Sequence, residues 1–140
     1  KALRVGGGTM YEFTVATRRK EELVNITSFV RRAIEESGKT RGISVVYVPH
    51  TTAGVTINES ADPDVVLDIL RGLRHAVPEN LPYEHGEGNS PAHVKASIVG
   101  PSVSVLFEDG KLLLGTWQGI FLCEFDGPRT RRVWIQVVGE

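Results

Sequence analysis

Apolar and polar positions alternate from Met10 onward, with Tyr11, Phe13 and Val15 on one side, and this period of two predicts a half-buried β-strand over residues 10–17. Beyond a basic turn the rhythm changes. Leu23, Ile26, Val30, Ala33 and Ile34 recur at helical spacing, which predicts an amphipathic helix clearest over residues 27–37, with Thr27 capping its first turn and Gly38 closing it. Residues 20–26 either join that helix or finish as extended chain. Ile43 to Val48 is a β-branched strand that stops at Pro49, which has no amide to give a ladder. Asp62-Pro63-Asp64 then opens a second helix with a capping carboxylate, a proline in the first turn and an acid near the positive end of the dipole. Val65, Val66, Ile69, Leu70 and Leu73 form its expected buried face, and it ends near His75-Ala76-Val77-Pro78. Ser90-Pro91 repeats the start signal for a short third helix whose first turn carries His93.

The last third reads as strands: Ser102 to Phe107, Lys111 to Gly115, Ile120 to Phe125 and Arg132 to Val138. Asp109-Gly110 between apolar runs is a hairpin signal, and Asp126-Gly127-Pro128-Arg129 reads as a second turn. Strands and helices mix without a repeating βαβ rhythm or a Gly-rich phosphate loop after the first strand. The expected class is therefore α+β, a mainly antiparallel sheet with two main helices and the short third one. Residues 1–9 are expected as a flexible lead-in or expression remnant, and residues 10–140 as one domain.

With 140 residues, 41% hydrophobic and 24% charged, the chain can bury a core without staples. Its net charge of −1 exerts no overall pull toward nucleic acid or an anionic membrane, and no basic stripe interleaved with aromatics appears. Arg18-Arg19-Lys20 and the run Arg129-Thr130-Arg131-Arg132 are local clusters that read either as anion sites or as solvated turns. The single cysteine, Cys123, excludes an intrachain disulfide and a cysteine-based zinc cluster; in the run Ile120-Phe121-Leu122-Cys123 it reads as a buried small hydrophobe. No apolar stretch reaches the length of a membrane span and no leader precedes the first strand, so a cytoplasmic protein with no membrane contact is expected.

Candidate chemistry gathers on histidine. Of the four histidines, His50, His85 and His93 lie in segments rich in turn residues and carboxylates, with Glu59, Asp62, Glu84 and Glu87 near them in sequence. Imidazole serves near neutral pH as metal ligand, proton donor or proton acceptor, so two readings compete: a three-nitrogen metal site with an open position, or metal-free acid–base chemistry with a carboxylate such as Glu59. Spacing alone leaves both open. His75 reads as a last-turn cation of the second helix and is set aside. Thr51, Thr52 and Asn58 can bind a polar substrate or form turns. Arg129 can present a planar fork to phosphate or carboxylate, or pair with Asp126, while Arg131 and Arg132 should face opposite sides of their strand. Gly115 and Gly119 flank a break between apolar runs, where a bulge lets backbone or ligand come close; Trp117 between them reads as core packing, a pocket wall or a subunit contact.

The ordered set His50-Thr51-Thr52-Ala53, Asn58-Glu59, Asp62-Pro63, His85, Asn89, Ala92-His93, Gly110, Leu114-Gly115-Thr116-Trp117-Gln118, Asp126-Gly127-Pro128-Arg129 and Arg132 resembles the YjbQ family, also named the secondary thiamine-phosphate synthase family. The similarity runs from Met10 to Gly139. It implies an α+β fold assembling as a homotrimer, with His50, His85 and His93 as a set able to hold a divalent metal, zinc or similar, near a subunit boundary. It further implies Glu59 as site carboxylate and Asp126 with Arg129 as an acidic–basic turn. Expected catalytic residues are then Glu59, His50 and Arg129, with Thr51, Thr52, Asn58, Asn89, Trp117, Gln118, Asp126 and Arg129 around a small phosphorylated metabolite. Thiamine-phosphate synthesis, the activity the resemblance implies, joins a pyrimidine pyrophosphate to a thiazole phosphate and expels pyrophosphate. Stabilising that leaving group calls for a divalent cation and an arginine. The chain has no Asp-rich pyrophosphate motif, and imidazoles favour zinc over magnesium. The rival expectation is a non-catalytic sensor or carrier of a small anionic metabolite.

Overall fold

The computed structural model describes residues 3–5 and 8–140, folded as nine strands and three helices. Strands β1 (Leu3–Val5), β2 (Met10–Ala16), β4 (Gly42–Tyr47), β6 (Ser102–Glu108), β7 (Lys111–Leu112) and β9 (Thr130–Gly139) make a six-stranded antiparallel sheet in the order β1-β2-β9-β4-β6-β7. Strands β3 (Glu22–Asn25), β5 (Ala53–Glu59) and β8 (Gln118–Glu124) make a second, three-stranded antiparallel sheet in the order β3-β8-β5. The α+β expectation with a mainly antiparallel sheet holds, divided over two sheets.

Three layers result. The inner face of the large sheet, carrying Tyr11, Phe13, Val46, Phe107, Val133 and Ile135, packs against helix α1 (Thr27–Ser37) and one side of the small sheet. On the other side of the small sheet, Cys123 and Phe125 meet Leu70 of helix α2 (Pro63–Ala76) and Ala92 and Ala96 of helix α3 (Ser90–Val99). This sandwiching explains the unbroken apolar run in β8: its alternate side chains enter different buried layers.

Several local expectations need correcting. Residues 3–5, placed in a lead-in, pair antiparallel with β2 as an edge strand; residues 1, 2, 6 and 7 lie outside the described residues. The stretch after His50 is a strand, because Ala53, Val55 and Ile57 supply a period-two face toward the core. Thr27 does not cap α1. The N-cap is Ile26, with no side-chain cap; Asn25 Oδ1 accepts from the Thr27 amide at 3.0 Å, while Thr27 Oγ1 accepts from the amide of Ile120 at 2.9 Å and ties α1 to β8. Asp62 caps α2 through the Asp64 amide, as expected. Of the apolar face predicted for α2, Leu70 is buried and Val65, Val66, Ile69 and Leu73 are half-buried. The third helix is, as expected, the shortest of the three, at 10 residues against 11 in α1 and 14 in α2. Lys111 to Gly115 pairs only over Lys111–Leu112, after which the chain leaves the large sheet for the small one.

Candidate functional site

Pro49 decides where His50 sits. One step past Tyr47 opposite Trp134 lies Val48, and the next pair in that register would set Pro49 opposite Arg132. The strand ends there, Val48 donating instead to the carbonyl of Pro101 at 2.8 Å, and the His50 ring turns back so that Nε2 accepts the Arg132 amide at 2.9 Å. An accepting Nε2 is an unprotonated one. Burial first, then the neighbouring Arg131 charge, hold the His50 imidazole below the usual histidine range, against an opposing pull from Glu124. His50 and Thr51 form one wall of a cavity of about 280 Å³ whose other wall is His93, Ala96 and Ser97 of α3. His85 reaches the same group from the far side, its ring edge-on to that of His93 with centroids 5.3 Å apart. The three histidines thus form a chain of neighbours at one end of the molecule.

A buried network lies beside them. Glu124, fully buried, accepts from Arg131 Nε at 2.9 Å and from Thr17 Oγ1 at 2.7 Å, and Arg131 NH2 also donates to Thr52 Oγ1 at 2.9 Å. Thr52, expected to meet substrate, is 5% exposed and holds the guanidinium instead. Sequence reasoning missed Glu124 and Arg131 as site residues. A lone carboxylate inside the apolar run of β8 was the available signal, since a buried charge demands a partner. Asp126 accepts from Arg129 NH2 at 3.0 Å, the pairing within the 126–129 turn, and from Asn89 Nδ2 at 2.9 Å, which joins that turn to the start of α3. Burial raises the Asp126 carboxyl, but these bonds outweigh it and leave the group below its usual range.

The remaining predicted residues lie elsewhere. Ala53 pairs with Glu124, whereas Glu59 pairs with Gln118, so Asn58, Glu59, Trp117 and Gln118 occupy the opposite end of β5 and β8. Along a seven-residue strand that separation is roughly 20 Å at about 3.4 Å per step. At that end the polar groups serve turns: Asn58 Oδ1 accepts the Glu59 amide, Glu59 Oε2 the Ala61 amide, and Gln118 Oε1 the Gly115 amide. Trp117 is 63% exposed and is not core packing. The expected close approach occurs at Gly119, where an added Cβ would stand 2.7 Å from Ser60 Cβ. A larger cavity of about 590 Å³ lies between α1 and the β6–β7 hairpin and holds none of the predicted residues.

For a metal, the donors fit unevenly. His85 and His93 are adjacent imidazoles, with Glu87 3.9 Å from His85 Nε2. His50 does not fit, because its one lone pair is committed to the Arg132 amide. Among the described residues no group of three or more His, Cys, Asp or Glu is gathered to hold an ion. No helix among them is long and apolar enough to cross a membrane.

Residues 11–140 match the family model for UPF0047 protein YjbQ-like. A UPF0047 protein of Methanocaldococcus jannaschii is 52% identical over 131 residues, covering 94% of this chain and 95% of that protein. UPF0047 protein YugU of Bacillus subtilis is 50% identical over 126 residues, covering 89% and 96%. Among solved structures, a YjbQ/UPF0047 family protein from Clostridium acetobutylicum superposes with a TM-score of 0.89 at 50% identity, covering 91% of this chain and 98% of that one. A YbjQ-like protein of unknown function from Sulfolobus solfataricus gives 0.90 at 35% identity, covering 94% and 96%. Family model, sequence relatives and fold agree over almost the full length, and the chain belongs to the YjbQ/UPF0047 family.

Proposed function

We propose that this protein is a small enzyme acting on a phosphorylated or pyrophosphorylated metabolite, bound in the cavity between the His50 loop and α3. The observation that carries this reading is the lining: His50, His93 and Thr51 border one space with no carboxylate among the lining residues, while the Ser97 hydroxyl is turned to the His93 carbonyl, to which it donates at 2.9 Å. Donors without a carboxylate among them suit an oxyanion. Thiamine-phosphate synthesis, as a secondary activity, is the concrete reaction, on the strength of the resemblance. A divalent metal, zinc or similar, would be held by His85 and His93. A homotrimer is implied by the resemblance, and it would account for Glu59 as a site carboxylate, since Glu59 lies at the far end of β5 from His50 and would reach a histidine site only from a second copy; the exposed Trp117 beside it is the kind of anchor such a contact uses. The single cysteine, buried and reduced, supports a cytoplasmic setting.

The test is turnover and thermal shift on a panel of phosphorylated metabolites, with and without zinc, in the parent and in His93→Ala. A ligand that binds the folded state raises the melting temperature. The reading predicts a shift lost in His93→Ala; no shift with any phosphorylated compound sinks it. The sensor or carrier reading is favoured by one observation, that Glu124 and Asp126 at this end are both committed to internal bonds. Binding without turnover, unaltered by Glu59→Gln, would select it.

A further inference from the structure

We propose that His50 is a hydrogen-bond donor to a bound oxyanion through Nδ1–H, and that it stands outside any metal set formed by the other histidines. The inference rests on the cavity being an oxyanion site, and it assigns His50 a role other than ligation. A neutral imidazole has one donor and one acceptor nitrogen, and the bond it makes fixes which is which. Here Nε2 accepts the Arg132 amide at 2.9 Å, so the proton sits on Nδ1. Nδ1 has no hydrogen-bond partner among the described residues, and it is absent from the buried polar atoms that lack one, which are Tyr11 Oη and Asn89 Oδ1. It therefore opens toward solvent or ligand, on a ring that lines the cavity with Thr51, His93 and Ser97.

Metal ligation would need a free lone pair. Taking it from Nε2 strips the Arg132 amide of its acceptor at the point where β4 has already ended; taking it from Nδ1 requires removing the second ring proton. The first leaves a backbone donor without its acceptor and the second needs an imidazolate, so both are unfavourable on a ring that feels the Arg131 and Glu124 charges in opposite directions. The same guanidinium is locked by Glu124 and Thr52, so the neighbourhood of the ring is rigid before a ligand arrives. A donor held in place in this way loses little freedom on binding a phosphoryl oxygen.

The experiment is a two-bond proton–nitrogen correlation spectrum of protein labelled with ¹⁵N-histidine, the His50 signals being identified by their loss in His50→Ala. The expected pattern is a protonated Nδ1 and a bare Nε2, unchanged by zinc and shifted at Nδ1 by inorganic phosphate. His50→Gln, which keeps an acceptor for the Arg132 amide and guards against misfolding, should weaken inorganic phosphate binding about tenfold and leave metal content at the parent level. A proton on Nε2, zinc-induced displacement of the His50 nitrogens, or phosphate affinity equal to the parent in His50→Gln overturns the inference alone. Failure of the parent chain to bind phosphate overturns it together with the reading it rests on.

Discussion

Glu124 on β8 and Arg131 on β9 form a buried ion pair between the two sheets, the guanidinium Nε lying 2.9 and 3.2 Å from the two carboxylate oxygens. Their side chains are 0% and 5% exposed, so neither charge can fall back on water. Removing one partner leaves the other ionised and buried. Arg131→Met and Glu124→Gln should each lower unfolding stability, Arg131→Met by about 3–5 kcal/mol, whereas Arg131→Met combined with Glu124→Met should lose less than the two single changes together. Denaturant unfolding of the variants checks this; strict additivity would show that the pair does not act as a unit.

The same pair gives the fold an acid limit. Burial pushes the Glu124 carboxyl up, but hydrogen bonds from Arg131, Thr17 and the Asp126 amide more than offset it and hold the group below the ordinary carboxylate range. Above an unfolded carboxylate value of about 4.3 both states are ionised and the stabilisation is complete; below it the unfolded chain takes up the proton first, and stability falls as pH drops through the folded value. His50 acts in the same direction earlier, because the unfolded imidazole protonates near pH 6.5 while burial and Arg131 hold the folded one neutral. Melting temperature should therefore decline gently below about pH 6.5 and steeply below about pH 4. His50→Gln should remove the first step, and Glu124→Gln should be less stable at pH 7 but flatter in acid.

The sequence made the fold class readable because its periodicities are local. The period-two face in residues 10–17, the β-branched run of 43–48 and the helical spacing around Val30 each report burial by the nearest layer. The site was harder to read. Asn58 and Glu59 follow His50 by only a few residues, yet the extended chain of β5 carries them to the far end of that strand, so sequence neighbours are held apart. Conversely, His50 and Arg132 are 82 positions apart and touch. Thr52 reads as a substrate-binding or turn residue and Thr27 as a helix cap, yet both also bond to distant partners, Arg131 and the Ile120 amide, that only the tertiary fold supplies.

Gly119, the second residue of β8, has no room for a side chain against Ser60. An alanine Cβ would lie 2.7 Å from Ser60 Cβ and 3.4 Å from Thr27 Oγ1, the atom that holds the Ile120 amide. Gly119→Ala should cost about 1–3 kcal/mol, and adding Ser60→Gly should recover part of it. Gly86→Ala, with nothing within 4 Å, serves as the neutral control. Thermal unfolding of these variants decides the matter, and a Gly119→Ala protein as stable as the parent would show that the close approach does not constrain the strand.

Cys123 should be chemically silent in the folded protein. Its thiol is 1% exposed, and burial pushes its pKa up to about 12, leaving almost no thiolate at neutral pH. A chromogenic disulfide reagent at pH 8 should label the native chain only at the rate at which it unfolds, and label it at once in denaturant. Fast labelling of the folded chain would mean that the layer under α2 and α3 opens readily.

Tyr11 is fully buried in the main core, yet its hydroxyl has no hydrogen-bond partner among the described residues. Its ring packs on the inner face of the large sheet, opposite Ile135 in the β2–β9 register, so the ring itself is favourable. The hydroxyl is the opposing contribution: taking it out of water without a partner costs about 1–3 kcal/mol, some of which local relaxation recovers. Tyr11→Phe keeps the shape and removes that penalty. The variant should gain about 1 kcal/mol, a rise of roughly 2–4 °C in melting temperature for a chain of this size. Calorimetry of the two proteins under one set of conditions checks it, and a drop in melting temperature would mean that the hydroxyl has a partner in solution, such as a buried water.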